Sequence, residues 1–319
     1  MDKKTRQVLN NREAAVCPIC ESDEVDFLLK KYDDRYGYHG EFDFFLCVKC
    51  NAAFLSDKID AKEIAGIYEK YYTFSGDLTP RKGGLKSVLI KNYFVKRLLG
   101  EISILDRVRK GARVLEIGPG GVTMDKIAVI NKRKLSWFGL EVNKKCVDRI
   151  ATAGLPVYWG SIDNMEQIKE RFDVIVLSMS IEHQLDINVF FKNCRKALNP
   201  GGSIIFTTAN FESIYRKKYA EKWINWHPPY HQILFSRKSI EMICKKFNFR
   251  INEFETTTPT SWFLLQRKFN LPAMGEKNKG FNFNFSILEY FLATTYLRLY
   301  EFLNKDDGDS MYCEIISCE

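Results

Sequence analysis

The sequence has 319 residues, enough for one large domain or for one domain with a small module attached. Its 45% hydrophobic and 28% charged residues are ordinary for a soluble globular protein. The formal net charge of +8 favours anionic partners such as nucleotide-linked sugars, phospholipid surfaces or nucleic acid, without choosing among them.

The N-terminal residues, the apolar runs and the cysteine count together indicate the cellular compartment. Residues 1–15 are polar, which argues against a secretory signal, and no run of about 18 uninterrupted apolar residues predicts a membrane-spanning helix. Nine cysteines are an odd number for a disulfide framework, and four of them have metal-ligand spacing. We therefore expect a protein of the reducing cytoplasm.

Residues 1–58 carry two Cys-x-x-Cys pairs, which predict a zinc-ribbon module. Cys17 and Cys20 form the first pair, and Cys47 and Cys50 form the second, 26 residues later. Four thiolates suit the closed tetrahedral site of structural zinc, the alternative being metal-free redox or chance motifs. The segment between the pairs holds eight acidic and three basic residues, whereas phosphate binding calls for the opposite balance.

Residues 59–109 read as a helical linker or lid. Ile64, Ile67, Tyr68 and Tyr71 recur at helical spacing, and a second apolar stripe runs over residues 88–99. A glycine- and proline-bearing stretch between the two stripes predicts a loop.

From residue 110 onwards, apolar strand segments alternate with helical ones. The predicted helices span about 122–131, 144–153 and 187–197, and a later one is capped by Ser236. This alternation predicts a parallel sheet with helices on both faces. The predicted strands are Arg113–Ile117, Leu135–Glu141, Leu155–Trp159, Phe172–Met179, Ser203–Thr208, Phe249–Thr256 and Met311–Ser317. Asn199-Pro200-Gly201-Gly202 predicts a stop and a sharp turn before the fifth of them.

The strongest motif is the glycine-rich turn after the first core strand, Glu116-Ile117-Gly118-Pro119-Gly120. Glycine lets the backbone turn and approach a ligand closely. Glu141 ends the second core strand, where a carboxylate usually accepts hydrogen bonds from ribose hydroxyls. Asp163 follows the third core strand, where it could accept a hydrogen bond from an adenine amino group. Acids at successive strand ends predict a nucleoside-binding crevice.

These motifs resemble the class I methyltransferases that use S-adenosylmethionine. Their Glu-x-Gly-x-Gly motif matches Glu116, Gly118 and Gly120, and the resemblance covers residues 84–319. It implies a Rossmann-like seven-stranded sheet over 110–319 and a cofactor site at the carboxyl ends of its strands. The implied cofactor-binding residues are Glu116, Gly118, Pro119, Gly120, Glu141, Val142, Ser161, Ile162, Asp163, Ser178 and Met179. Val122 departs from the pattern, because many members have a further glycine there. A dehydrogenase would need its third glycine where this chain has Thr123.

Three histidines lie in segments expected to face the cofactor: His183 after the fourth core strand, and His227 and His231 after the fifth. Histidine removes protons near neutral pH, although any one of them is as readily a structural residue.

The zinc-containing sugar C-methyltransferases also combine a four-cysteine module with this core. Their His-x-x-x-Phe-Ser stretch, whose histidine is the proposed base, matches His231 to Ser236, and His183 and Tyr72 match further active-site positions. Tyr230 replaces their glutamate, and they continue into a further C-terminal domain. The resemblance therefore implies the architecture and a candidate base, not C-methylation.

Residues 281–303 are aromatic and apolar with few charges. They predict a lid or core helix, or else a helix that touches a membrane or a lipid-linked substrate.

Two enzymatic functions and one non-enzymatic function follow. The first is methyl transfer to a small molecule, such as a sugar, a glycan precursor or a related natural product, and the second is RNA methylation with a zinc-ribbon recognition module. Base amino methylation would be supported by Asn/Asp-Pro-Pro-Tyr where this chain has Ser178 to His183. The third, a degenerate scaffold, is disfavoured by the intact Glu116, Gly118, Gly120 and Glu141.

Overall fold

Two β-sheets organise the chain, for which a computed structural model describes residues 15–56, 59–72, 93–101, 103–163, 168–278 and 285–318. The strands are β1 (Val25–Tyr32), β2 (Glu41–Cys47), β3 (Ala53–Leu55), β4 (Arg113–Ile117), β5 (Ser136–Glu141), β6 (Val157–Trp159), β7 (Phe172–Ser178), β8 (Leu198–Ala209), β9 (Ile233–Leu234), β10 (Phe249–Thr257) and β11 (Ser310–Ser317). The α-helices of the described residues are α1 (Ala61–Lys70), α2 (Tyr93–Leu98), α3 (Ile104–Arg107), α4 (Met124–Lys132), α5 (Lys144–Thr152), α6 (Ile187–Ala197), α7 (Ile214–Tyr219), α8 (Arg237–Phe247), α9 (Thr260–Lys268) and α10 (Ile287–Leu303).

The seven-stranded sheet has the order β10-β11-β8-β7-β4-β5-β6. Its strands β6, β5, β4, β7 and β8 are parallel, while β11 lies antiparallel between β8 and β10. The chain runs outward from β4 in one direction through β5 and β6, and in the other through β7 and β8. This reversal opens a crevice at the carboxyl ends of β4 and β7, where open α/β sheets bind their ligands. The predicted Rossmann-like sheet is confirmed.

The core elements match their predictions closely where sequence signals were strong. β4 has the predicted bounds, and its last four residues are buried, as expected for a strand covered on both faces. Ser236 accepts a hydrogen bond from the backbone N–H of Ser239 and completes a capping box for α8. Such a cap satisfies backbone donors that the helix itself leaves unpaired.

The start of β8 differs from the prediction. Asn199 to Gly202 do not stop the chain before the strand; β8 already begins at Leu198, and its pairing with β7 shifts between Leu198 and Ser203. A Cβ on Gly202 would lie 2.9 Å from the Asn199 carbonyl oxygen and 3.0 Å from that of Asp173. The prolyl-glycyl sequence therefore forms an irregularity inside the strand, because only glycine fits so close to two backbone carbonyls.

The four-stranded sheet belongs to the N-terminal module but takes its last strand from the core, in the order β1-β2-β3-β9. β9 pairs antiparallel with β3, with Ala53 opposite Leu234 and Phe54 opposite Ile233. Side chains of the module and of the seven-stranded sheet also share one apolar cluster. A module boundary near residue 58 stays a prediction, but the module and the core are packed together.

The predicted helical linker contains α1, α2 and α3, and the part of the second apolar stripe over residues 88–92 lies outside the described residues. Of the C-terminal aromatic stretch, residues 287–303 form α10, while 281–284 lie outside the described part. None of the helices described is long and apolar enough to cross a membrane.

Candidate functional site

The glycine-rich turn after β4 adopts the conformation that its sequence requires. Gly118 and Gly120 have φ values of +66° and +64°, in the left-handed region that favours glycine. A Cβ on Gly118 would lie 3.0 Å from the Cβ of Ser180, whose hydroxyl donates to the Ile117 carbonyl oxygen at 2.9 Å. The turn and the loop after β7 therefore meet closely at the carboxyl edge of the sheet.

Glu116 lies behind this turn and is 4% exposed. One carboxylate oxygen accepts from Lys126 Nζ at 2.7 Å and the other from Trp137 Nε1 at 2.8 Å. Such charge-assisted bonds fix the end of β4 against α4 and β5. In this arrangement Glu116 supports the turn from within the protein.

Glu141 faces the turn from the end of β5. Its Oε2 accepts from the Gly120 N–H and its Oε1 from the Asn143 N–H, both at 2.8 Å. Burial raises the pKa of this carboxyl, while these backbone donors act to lower it. Each oxygen has a further lone pair, so the carboxylate is able to accept hydrogen bonds from ribose hydroxyls.

The other predicted cofactor residues surround the same crevice. Asp163 is exposed and accepts from the Ser161 hydroxyl at 2.9 Å, while Ile162 between them is buried. Val142 is 56% exposed, and Met179 has a left-handed φ of +52°. Exposed acid and apolar surface at consecutive strand ends suits a nucleoside, whose base is flat and apolar and whose edges are polar.

The four cysteines of the N-terminal module converge. Cys17 Sγ lies 3.5 Å from Cys50 Sγ, and Cys20 Sγ lies 3.5 Å from Cys47 Sγ, with all four sulfurs within 4.8 Å of one another. A tetrahedral zinc with Zn–S bonds of about 2.3 Å needs sulfur separations of about 3.8 Å. The cluster is compatible with such an ion. All nine cysteines of the chain are free thiols.

Three of the four histidines lie together after the carboxyl end of β7; that they face the cofactor stays a prediction. The ring centroid of His231 lies 4.9 Å from that of His183 and 5.0 Å from that of His227. His39 is exposed and lies apart, against Gly275. Burial lowers the pKa of His183 to about 4 and that of His231 well below its usual value. These two imidazoles are therefore neutral at pH 7.

The hydrogen bond of the His231 ring fixes which of its nitrogens carries the proton. His231 Nδ1 lies 2.8 Å from the carbonyl oxygen of Asn225, which only accepts, so Nδ1 is protonated and Nε2 keeps a free lone pair. His183 Nδ1 is hydrogen-bonded to the Tyr68 hydroxyl at 2.8 Å. The geometry leaves Nε2 of His231 able to accept a proton.

Glu182 is a site residue that sequence reasoning missed. It is fully buried, its Oε2 accepts from the Thr208 hydroxyl at 2.9 Å, and its Oε1 lies 3.9 Å from His231 Nε2. Burial raises its pKa to about 7. Its position between Ile181 and His183, directly before a candidate histidine, was the available signal.

Four tyrosines, with Tyr72 among them, form a wall beside the histidines; that Tyr72 reaches an active site stays a prediction. Its ring centroid lies 4.9 Å from those of Tyr36 and Tyr68 and 5.2 Å from that of Tyr230. Tyr68 lies in the last turn of α1, Tyr72 follows two residues after that helix, and Tyr36 comes from the N-terminal module. The wall is therefore assembled from three distant parts of the sequence.

Beneath this wall lies a second acid–histidine pair. Asp34 is fully buried, with its Oδ1 3.5 Å from Arg35 Nε and 3.9 Å from His227 Nδ1, and burial raises the pKa of Asp34 to about 6. Within the described residues, neither Asp34 oxygen makes a hydrogen bond, nor do His227 Nδ1, the Tyr230 hydroxyl or Glu182 Oε1. The site thus contains several buried polar atoms that lack a hydrogen-bond partner.

Comparison with known proteins agrees with this geometry. A family model described as a methyltransferase domain matches residues 91–253, just over half of the chain. A ubiquinone biosynthesis O-methyltransferase of Rhizobium etli (strain CIAT 652) is 28% identical over 110 residues, which are 33% of this chain and 44% of that protein. The chain therefore matches less than half the length of this curated relative.

Solved structures resemble the chain over most of their length. The [4+2]-cyclase SpnF aligns with a TM-score of 0.48 and 13% identity, over 81% of this chain and 96% of its own. An S-adenosylmethionine-dependent methyltransferase from Mesorhizobium loti aligns with a TM-score of 0.44 and 14% identity, over 73% of this chain and 100% of its own.

Proposed function

The chain belongs to the class I S-adenosylmethionine-dependent methyltransferases, and we propose that it methylates a small acceptor that carries several hydroxyl groups. A sugar, a glycan precursor or a related natural product fits this description. The cofactor residues would be those around the glycine-rich turn, with the ribose on Glu141 and the adenine near Asp163.

The unsatisfied polar atoms beside the histidines carry the proposal. The Asp34 carboxylate, His227 Nδ1, the Tyr230 hydroxyl and Glu182 Oε1 are all buried without a hydrogen bond in the described residues. Each such atom costs about 1–3 kcal/mol of stability. An acceptor with several hydroxyls would satisfy these donors and acceptors, and the faces of the tyrosine rings would pack against its apolar side.

The acceptor atom is proposed to be oxygen, and His231 is proposed to be its base. The related ubiquinone enzyme is named an O-methyltransferase, and hydroxyl groups fit the polar atoms described above. Nε2 of His231 would take the hydroxyl proton, because its Nδ1 proton is held by the Asn225 carbonyl. Bound S-adenosylmethionine supplies an electrophilic methyl group on a sulfonium. His183, held by Tyr68, would orient the acceptor or share the proton transfer, and Tyr72 would shape its binding surface.

Glu182 would support this proton transfer. When His231 accepts a proton, its imidazolium would lie 3.9 Å from a carboxylate whose pKa is about 7. An ionised partner at this distance, in a buried site, favours the charged form of the histidine. Together, His231 and the ionised Glu182 would therefore form a usable base near neutral pH, although the pKa of His231 alone is low.

A structural zinc ion on Cys17, Cys20, Cys47 and Cys50 completes the proposal. The sulfur separations fit a four-thiolate tetrahedral site, which leaves no open position for a substrate. The ion would hold the module that supplies Asp34 and Tyr36, and we retain the cytoplasm as the predicted compartment, where thiols stay reduced.

The test is transfer of a labelled methyl group from S-adenosylmethionine to three panels: nucleotide-linked and free sugars, phenolic natural products, and RNA transcripts. We expect label in one of the small-molecule panels and its loss in Glu141→Ala. Label that enters RNA alone would refute a small acceptor and favour the RNA methyltransferase alternative.

A further inference from the structure

α10 presents an apolar surface that the methyltransferase reaction does not use. One side of the helix packs inward through Ala293, Thr294 and Leu297. The opposite side carries eight large apolar side chains, each between 51% and 80% exposed: Ile287, Leu288, Phe291, Leu292, Tyr296, Leu299, Phe302 and Leu303. Exposed apolar surface of this extent on one helix is characteristic of an interaction site. We call these eight residues the α10 face.

Two of the three charged residues of α10, Arg298 and Glu301, are turned toward the protein, while the third, Glu289, lies in the first turn with its side chain 38% exposed. Arg298 donates to the Thr257 hydroxyl at 2.7 Å and lies 2.8 Å from Glu301, which also accepts from the Thr258 N–H. Glu289 caps its own helix through Ser286 and pairs with Lys268 at 2.9 Å. Inward charges and outward apolar residues are the pattern of a helix that lies in an interface.

Basic side chains flank this face. α9 packs beside α10 through the stacked rings of Phe263 and Tyr296, and it ends in the exposed Arg267 and in Lys268, whose charge is shared with Glu289. α7, which contacts α9 through Tyr215 and Phe263, ends in the exposed Lys217 and Lys218, while Arg216 donates inward to the Phe211 carbonyl oxygen. On the other side, Gly100 lies against Arg298, and the helix before it, α2, ends in Lys96 and Arg97.

We propose that the α10 face is a peripheral docking surface for an anionic phospholipid bilayer. Its apolar residues would enter the boundary between head groups and acyl chains, while the flanking lysines and arginines would contact phosphate groups. With 17 residues, α10 is too short to cross the bilayer and would lie along its surface. A symmetric pairing of two α10 faces is disfavoured, because a two-fold contact would bring like-charged flanks together.

The test is cosedimentation of the full chain with vesicles of phosphatidylcholine alone and of phosphatidylcholine mixed with phosphatidylglycerol. We expect binding to the mixed vesicles that weakens as salt rises, because salt screens the basic flanks. Phe291→Ser/Phe302→Ser should weaken that partition about 100-fold, since two largely exposed phenyl rings would no longer enter the bilayer. The control is Phe27→Ser, at a half-exposed ring of β1, which should bind as the parent does.

Two results would overturn the proposal. One is equal binding of the parent and the Phe291→Ser/Phe302→Ser variant, with both folded by circular dichroism, or equal binding to the two vesicle types. The other is a mass by light scattering that shows the parent as a dimer and the variant as a monomer, because the face would then be covered by a second copy. Methyl transfer to a soluble acceptor is measured separately, so failure of docking and failure of the proposed function are distinguishable.

Discussion

Replacing Glu182 by glutamine should raise stability and lower turnover at the same time. Glutamine keeps the shape and can still accept from the Thr208 hydroxyl, but it cannot ionise. The folded pKa is about 7 against an ordinary value of 4.5, so the folded protein holds this proton more tightly than the unfolded chain. Between those two pH values the carboxyl makes stability fall as pH rises.

The magnitude follows from that difference in pKa. It corresponds to a loss of folding stability of about 3 kcal/mol, which is complete above a pH of about 7 and absent below a pH of about 4.5. Glu182→Gln should therefore be more stable than the parent at pH 8 by up to about 3 kcal/mol, and equal to it at pH 4. Turnover should fall by about 10–100-fold, the range expected when a charge-assisted interaction is lost.

Urea unfolding at several pH values and initial rates over the same range measure both effects. The parent rate should rise with pH through about 7, as Glu182 ionises, and the variant rate should lack that step. Glu241→Gln is the control, because Glu241 is an exposed residue of α8 that pairs with Arg237 at 3.3 Å. A variant with parental turnover, pH profile and pH 8 stability would refute the role given to Glu182.

Three further predictions concern the base, the cofactor and the metal. His231→Ala should cut turnover by about 10²–10⁴-fold in methyl-transfer assays and leave S-adenosylmethionine affinity nearly unchanged. If only His183→Ala has this effect, the roles of His231 and His183 are exchanged. His227→Ala should act mainly on folding or on acceptor affinity. Glu141→Ala should weaken S-adenosylmethionine binding in calorimetry by about 1.5–3 kcal/mol per lost hydrogen bond, and unchanged affinity would contradict its assignment to the ribose. Elemental analysis should find one zinc per chain, reduced in Cys47→Ser; a metal-free, fully folded protein would contradict the zinc site.

Local signals predicted the seven-stranded sheet well. β4 is a continuous apolar run ended by a glycine-rich turn, and α8 begins at a serine cap, so both are specified by residues close in sequence. β9 carried no comparable signal, because it has only two residues and forms by pairing with β3, about 180 positions earlier. The irregularity in β8 was missed for the same reason: whether Gly202 turns the chain or fits inside a strand depends on the Asp173 carbonyl of β7.

The candidate site shows the same division between local and long-range information. The strand-end acids and the histidines were predicted because parallel strands bring their carboxyl ends to one edge. Asp34 and Tyr36 were not predicted, since they come from the N-terminal module and reach the histidines only through tertiary packing. Their chemistry also depends on burial, which raises the pKa of Asp34 to about 6; sequence alone does not reveal burial of an acid.

The contacts around β9 connect the cysteine module to the proposed acceptor site. His231 stands two residues before β9, and the Leu55 N–H of β3 donates to the carbonyl oxygen of Gln232 at 3.0 Å. Just beyond β9, the Ser236 hydroxyl donates to the carbonyl oxygen of Cys50 at 2.9 Å. The backbone that carries the candidate base is thus bonded on both sides to the module that the four thiols hold. A catalytic group needs its position fixed within a fraction of an ångström. A closed metal site would therefore serve catalysis from a distance, by keeping His231 and Asp34 in one rigid unit.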